Sequence, residues 1–171
     1  GSLFSGDTQP AVHTYEQAVQ LDLLAIALRH SLDTLIQFFR LNPDMAPRLL
    51  AIANSPIGGL SRPAESVAHA LIMLGPQRAT RVAILLALTG KQPGDATRHY
   101  AVTALTRALF MGKVTRLGAP AESAAAAFEI GLLSAAPHAL SLPLEALIRK
   151  LGLAATSARA LSAHPSPEGA M

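Results

Sequence analysis

Residues 48–75 (RLLAIANSPIGGLSRPAESVAHALIMLG) limit the folds open to this chain more than any other stretch. An apolar segment with Met45, Leu49, Ile52 and Ala53 on one face runs into Asn54-Ser55-Pro56. That run is a sharp polar break, and the segment is expected to end at Asn54. A Gly58-Gly59 loop follows. A second apolar segment then places Val67, Ala70, Leu71 and Leu74 at helical spacing and closes at Gly75-Pro76. The pattern predicts two core helices joined by a rigid corner. Asn54 takes the left-handed conformation at little cost and is expected to end the first helix that way. The Ser55 side chain is expected to bond nearby backbone. Ser61 is expected to cap the second helix and Pro63 to open it.

The same period runs through the rest of the chain. Leu21, Leu24, Ala25 and Leu28 form one stripe. Ser31 is placed to cap a second helix carrying Leu32, Leu35, Ile36 and Phe39. Residues 82–88 are apolar all round, as in a helix at the centre of a bundle. Residues 90–94 (GKQPG) read as a loop, and Asp95 as the cap of a long helix reaching Leu117 with Val102, Leu105 and Leu109 inward. Residues 122–136 form an Ala-rich helix whose Gly131 and Ser134 let a neighbouring backbone come close, with Pro137 ending it. Leu144, Leu147, Ile148 and Leu151 mark a further helix, and residues 154–163 a last one. No sustained period-two alternation occurs, and no Asn-Gly or Asp-Gly hairpin signal. The expected fold is all-α: a single irregular helical domain of about eight or nine helices over residues 15–163. Residues 1–14 read as a cloning scar (Gly1-Ser2) and a linker or the end of a preceding domain. Residues 164–171 read as a frayed tail.

Composition excludes several classes. A chain of 171 residues, 50% hydrophobic and 15% charged, can bury one good core and is not disordered. It has no cysteine, so disulfides and thiolate metal sites are ruled out. No uncharged apolar run is long enough to span a bilayer, and a cytosolic location is expected. The net charge of +3 is too small to indicate nucleic acid by itself.

The chemistry-bearing residues are scattered. The histidines are His13, His30, His69, His99, His138 and His164, and no two lie three or four apart, the spacing a helical metal pair needs. None of Asp7, Asp22, Asp33, Asp44 and Asp95 sits beside a histidine. His69 is expected to be a partly buried histidine bonded to backbone. There is no Gly-x-Ser-x-Gly turn, and Gly58-Gly59 lacks the following Lys-Ser/Thr of a phosphate cradle. The pairs Arg78/Arg81 and Lys113/Arg116 read as solvated helix faces. No basic stripe or stacking aromatic is evident, so nucleic acid is not the expected partner.

The opening stretch resembles the HDOD domain, the HD-related output domain of bacterial signalling proteins. The resemblance is carried by Asn42-Pro43 with Met45, Arg48-Leu49-Leu50, Ala53-Asn54-Ser55, Gly59-Leu60, Ser66, His69-Ala70-Leu71 and Leu74-Gly75. It continues through residues 82–88, Arg107-Ala108 and residues 127–134 (AFEIGLLS). It implies an HD-superfamily-like helical scaffold in which Asn54, Ser55, Gly59, His69 and Gly75 are structural. In HD phosphohydrolases a Leu-Leu-His-Asp run supplies two metal ligands. The similar run here is Leu132-Leu133-Ser134-Ala135, and Ser134 and Ala135 cannot replace an imidazole and a carboxylate.

The resemblance therefore implies no metal centre and no cofactor. It implies a non-catalytic output module that binds a protein partner within a larger bacterial regulator. Residues 128–134 with Leu142-Pro143-Leu144-Glu145 are most similar to the subgroup that follows an EAL domain. Leu3-Phe4-Ser5 is similar to the end of such a domain, and both implicate cyclic-di-GMP signalling. Asn42 where the family often has Asp, and Gly112 where the subgroup often has Glu, bear on a partner surface. Two alternatives stay open: a residual metal-dependent phosphohydrolase, from the scaffold and the histidines, and a nucleic-acid or nucleotide binder, from the positive charge.

Overall fold

Stripes of Leu, Ile, Val and Ala at helical spacing can be dried only against one another, and the order of the helices shows how. The computed structural model describes residues 8–90 and 95–163, and no strand occurs among them. The elements are α1 (Thr8–Ala27), α2 (Leu32–Leu41), a 3-10 turn at Pro43–Met45, α3 (Ala46–Ala53), α4 (Val67–Thr89), α5 (Asp95–Arg116), α6 (Ala121–Leu133), α7 (Ala136–Ala139), α8 (Leu144–Leu151) and α9 (Ala155–Ser162). The fold is all-α, as the periodicity predicts.

Helix α4 is the axle, touching α1, α2, α3, α5 and α6. Its residues 82–88 are all buried, so it has no polar face to turn to water. By length and composition alone α4 could cross a membrane, yet most of it is covered by the other helices. It is also not one straight rod. Gly75 adopts φ 70° and ψ 169°, which breaks the helix just before Pro76. The break predicted at Gly75-Pro76 is thus a kink between two helical segments. The helix begins at Val67, capped by Ser66, whose hydroxyl accepts from the His69 N–H at 3.2 Å. Ser61 and Pro63 do not open it: they lie in the preceding loop, because Ser66 offers a cap directly beside the first core residue.

Other faces are rotated from their predicted positions. Helix α1 begins at Thr8, within the stretch read as linker, and buries Val19, Leu23, Leu24 and Ala27. Leu21, Ala25 and Leu28 sit at the margin of that stripe. In α2, Ser31 caps as expected, and Phe38 joins Leu35 and Phe39 in the core. In α5 the inward line is Ala104 and Ala108, whereas Val102 and Leu109 are 64% and 49% exposed. The reason lies on α6. A Cβ at Gly131 would stand 2.5 Å from the Ala108 Cα, so the two backbones nearly touch. Only small residues fit in such a crossing, and the larger ones turn outward. Pro137 does not end α6. It sits in the first turn of α7, where a proline's missing N–H is not needed. Helix α8 ends at Gly152 in the left-handed conformation. Leu147 of α8 and Leu161 of α9 belong to the same core. The linker reading for residues 1–7, the loop at 91–94, and the tail with His164 fall outside the described residues.

Candidate functional site

The corner after α3 is built from backbone hydrogen bonds. Asn54 keeps a right-handed helical conformation (φ −82°, ψ −4°), so the predicted left-handed end is not used. Its side chain reaches across the loop instead. Oδ1 accepts from the Ala64 N–H at 2.8 Å, and Nδ2 donates to the Ala64 carbonyl at 3.1 Å. One amide thereby satisfies both backbone groups of a residue that is only 4% exposed. Ser55 Oγ donates to the Ile52 carbonyl at 2.7 Å and accepts from the Ile57 N–H. Gly58 lies against α3, where a Cβ would come within 1.9 Å of the Ala53 carbonyl oxygen. Gly59 has φ 64°, and its carbonyl accepts from Arg78. His69 is half-buried on the first turn of α4, and the hydrogen bond it makes is through its backbone N–H rather than its ring. Asn54, Ser55 and Gly59 thus converge, while His69 and Gly75 lie further along on α4.

The end of α6 holds Ser134 and Ala135. Ser134 Oγ donates to the Gly131 carbonyl at 2.7 Å and accepts from Arg107 at 3.3 Å. Ala135 is buried among apolar side chains. A guanidinium against the hydroxyl and a methyl beside it give this position neither the charge nor the donors that a divalent cation requires. Among the described residues, no three His, Asp or Glu side chains converge as a metal-holding group. His138 stacks on Tyr100 at 5.7 Å between ring centres, and His99 meets the same ring edge-on.

A polar cluster joins α1, α4 and α6. Thr80 is the buried polar residue of α4, and its hydroxyl lies 3.0 Å from the carbonyls of Ala27 and Pro76 and 3.1 Å from His30 Nδ1. A hydroxyl has one proton, so it serves one carbonyl at a time and can accept from the imidazole. His30, at φ 54°, turns the chain after α1 and aims Nε2 at the Glu129 carboxylate, 3.6 Å away. Burial raises the Glu129 pKa above its usual value, and His30 and Arg81 pull the other way. Arg81 lies over the Phe128 ring, 4.4 Å from its centre. Its pKa is lowered by burial first, then by repulsion from Arg116 and Arg78, against the attraction of Glu129. The solvated-face reading of Arg78/Arg81 holds for Arg78, which is exposed, and fails for Arg81, which is half-buried with a buried Nε that finds no hydrogen-bond partner among the described residues.

Between the corner, α4, α5 and α6 lies a half-open cleft of about 480 Å³. Pro56, Ile57, Val82, Leu85, Leu105 and Phe128 make it apolar, and Arg78 and Arg81 border it. Sequence reasoning missed this site and the His30–Glu129 pair because their members come from elements far apart in the chain. The one local signal was Phe128-Glu129, an aromatic and a carboxylate in a helix otherwise rich in alanine.

Neither a curated protein nor a solved structure matches the chain. The HDOD domain model matches residues 14–138, which run from α1 into α7 and include the corner, the kinked α4 and the α5–α6 crossing. On that match across most of its length, the chain belongs to the HDOD family.

Proposed function

We propose that this chain is a non-catalytic output module of signal transduction whose surface binds a protein partner. The observation that carries the reading is the state of the α6–α7 junction. Ser134 is bonded to a backbone carbonyl and to Arg107, and Ala135 fills the core. Where the resemblance to HD phosphohydrolases would need an imidazole and a carboxylate, the chain has packing and a cation. The scaffold also leaves large apolar side chains in water, among them Ile57, Leu109, Phe110 and Leu117. Exposed apolar groups mark an interaction surface where they form a contiguous patch with a polar rim, and Ile57 and Leu109 meet that description at one cleft. The finer placement, after an EAL-like domain and within cyclic-di-GMP signalling in a bacterial cytoplasm, rests on the resemblance of residues 128–134 and 142–145.

Two measurements test the reading. The purified chain is incubated with nucleotides and phosphodiesters in the presence of Mn²⁺ or Mg²⁺, and no turnover above the metal blank is expected. Sustained hydrolysis would overturn it. In-cell crosslinking from the surface of the parent regulator should trap one discrete protein. A trapped nucleic acid instead would point to the binder reading, and its affinity would then fall steeply with salt.

A further inference from the structure

We propose that the apolar cleft between the corner, α4, α5 and α6 seats one segment of the partner: an aliphatic or aromatic anchor flanked by carboxylates. The inference rests on the partner-binding reading and names the partner's chemistry. The inner wall of the cleft is made by Val82, Leu85, Leu105 and Phe128, so whatever enters must be apolar at its tip. The volume of about 480 Å³ has room for a cluster of large side chains and is also within the range of a small-molecule pocket, so volume alone does not choose the occupant.

Charge sets the flanks. Arg78 and Arg81 border the cleft, and the charge of Arg116 reaches Arg81. Glu129 attracts Arg81, so of the two guanidinium groups that line the cleft at most one is offset, and the border stays positive. Arg78 spends one N–H on the Gly59 carbonyl at 3.3 Å and keeps the rest of its fork. Guanidinium forks match carboxylates in geometry as well as charge, so a basic or neutral segment would be the poorer fit.

The rim decides between a small amphipathic anion and a polypeptide. Ile57, Leu109 and Val102 are 55%, 49% and 64% exposed. Ile57 and Leu109 line the mouth, and Val102 lies two helical turns before Leu109 on α5. A molecule confined to the cleft would leave this apolar rim wet. A polypeptide covers cleft and rim together, as a buried anchor ringed by peripheral contacts does in protein interfaces.

The test is a selection of randomised displayed peptides on the immobilised chain, followed by anisotropy titration of the enriched ones. The variants are Leu109→Gln and Arg78→Glu, both at exposed positions, with thermal melts to show that they fold. Enriched peptides should carry an apolar anchor beside Asp or Glu. Each variant should weaken them by about tenfold or more, and added salt should weaken them further. Enrichment of basic peptides, or of peptides that bind both variants with unchanged affinity, overturns the cleft as the seat and leaves the partner-binding reading standing. Saturable binding of dodecanoate with no peptide enriched overturns it in favour of a small amphipathic anion. Binding of neither also overturns it, and the crosslinking experiment then judges the partner-binding reading by itself.

Discussion

The corner after α3 and the crossing of α5 with α6 both fix the angle between neighbouring helices, by opposite means. At the corner the chain is held by directed hydrogen bonds: Asn54 to both backbone groups of Ala64, and Ser55 to Ile52 and Ile57. At the crossing the fit is made by what is missing. Gly131 has no Cβ to hold Ala108 away, and Ala104 and Ala108 are buried to the last atom. Hydrogen bonds tolerate a change of size and fail on a change of chemistry. A close crossing does the reverse. The two regions should therefore answer differently to the same kind of substitution.

The largest effect is expected at the crossing. Gly131→Val keeps the chemistry apolar but puts three carbons where one would already lie 2.5 Å from a backbone atom. Neither helix can yield without leaving α4, so a loss of about 3 kcal/mol or more is expected, at the upper end of overpacking costs. Urea denaturation monitored by circular dichroism measures it. An unchanged midpoint would show that α5 slides freely on α6. Gly58→Ala, whose Cβ would meet the Ala53 carbonyl, should cost less, about 2 kcal/mol, because a loop can move away.

Asn54 is the corner's counterpart. Asn54→Ala removes both bonds and leaves the buried Ala64 N–H unpaired, which costs about 1–3 kcal/mol. Asn54→Asp sharpens the point at nearly constant size. Its carboxylate still accepts from Ala64 N–H but faces the Ala64 carbonyl without a proton to give. It should lie closer to alanine than to the parent. Equal stability of the aspartate and the parent would mean that the second bond contributes nothing.

How much of this was legible in the sequence follows from the same contrast. The corner was legible, because its members lie within a dozen residues and carry turn chemistry: Asn, Ser, Pro, Gly, Gly. Its mechanism was not. An asparagine at a helix end has two uses for its amide, and only the position of Ala64 distinguishes them. In α5, periodicity favoured Val102 and Leu109 as inward because they are large and apolar. Their exposure follows from a glycine on another helix, which no pattern within α5 records. The family, read from the motif run, is carried by the match over residues 14–138. The cleft and the His30–Glu129 pair were out of reach, since their parts are separated by tens of residues and meet only once α4 is in place.

Glu129 offers a subtler break between the regions, since its pocket joins α6 to α1 and α4. Burial raises its folded pKa above the ordinary 4.5. The folded state then binds more protons than the unfolded one just above that pH, so stability is greatest below it and falls as pH rises through the raised value. Glu129→Gln removes this proton linkage. Melting curves from pH 4 upward should show the parent losing stability relative to the variant as pH increases. A parent that gains on the variant over that range would mean that the ion pair with His30 outweighs burial.

The smallest effect is expected on the outer face of α5. Phe110 is 68% exposed, on the side of the helix away from Ala104 and Ala108. A side chain that stays in water in the folded state has little burial to lose, so Phe110→Ser should shift stability by only about 0.5 kcal/mol or less. That near-neutrality would be informative beside the large cost at Gly131, two helix faces apart at the same crossing. It would show that α5 is anchored on the side of Ala104 and Ala108 and open on the side of Phe110. A loss near that of Gly131→Val would instead require a covering layer over Phe110, and α5 would have to be reassigned from a surface helix to an interior one.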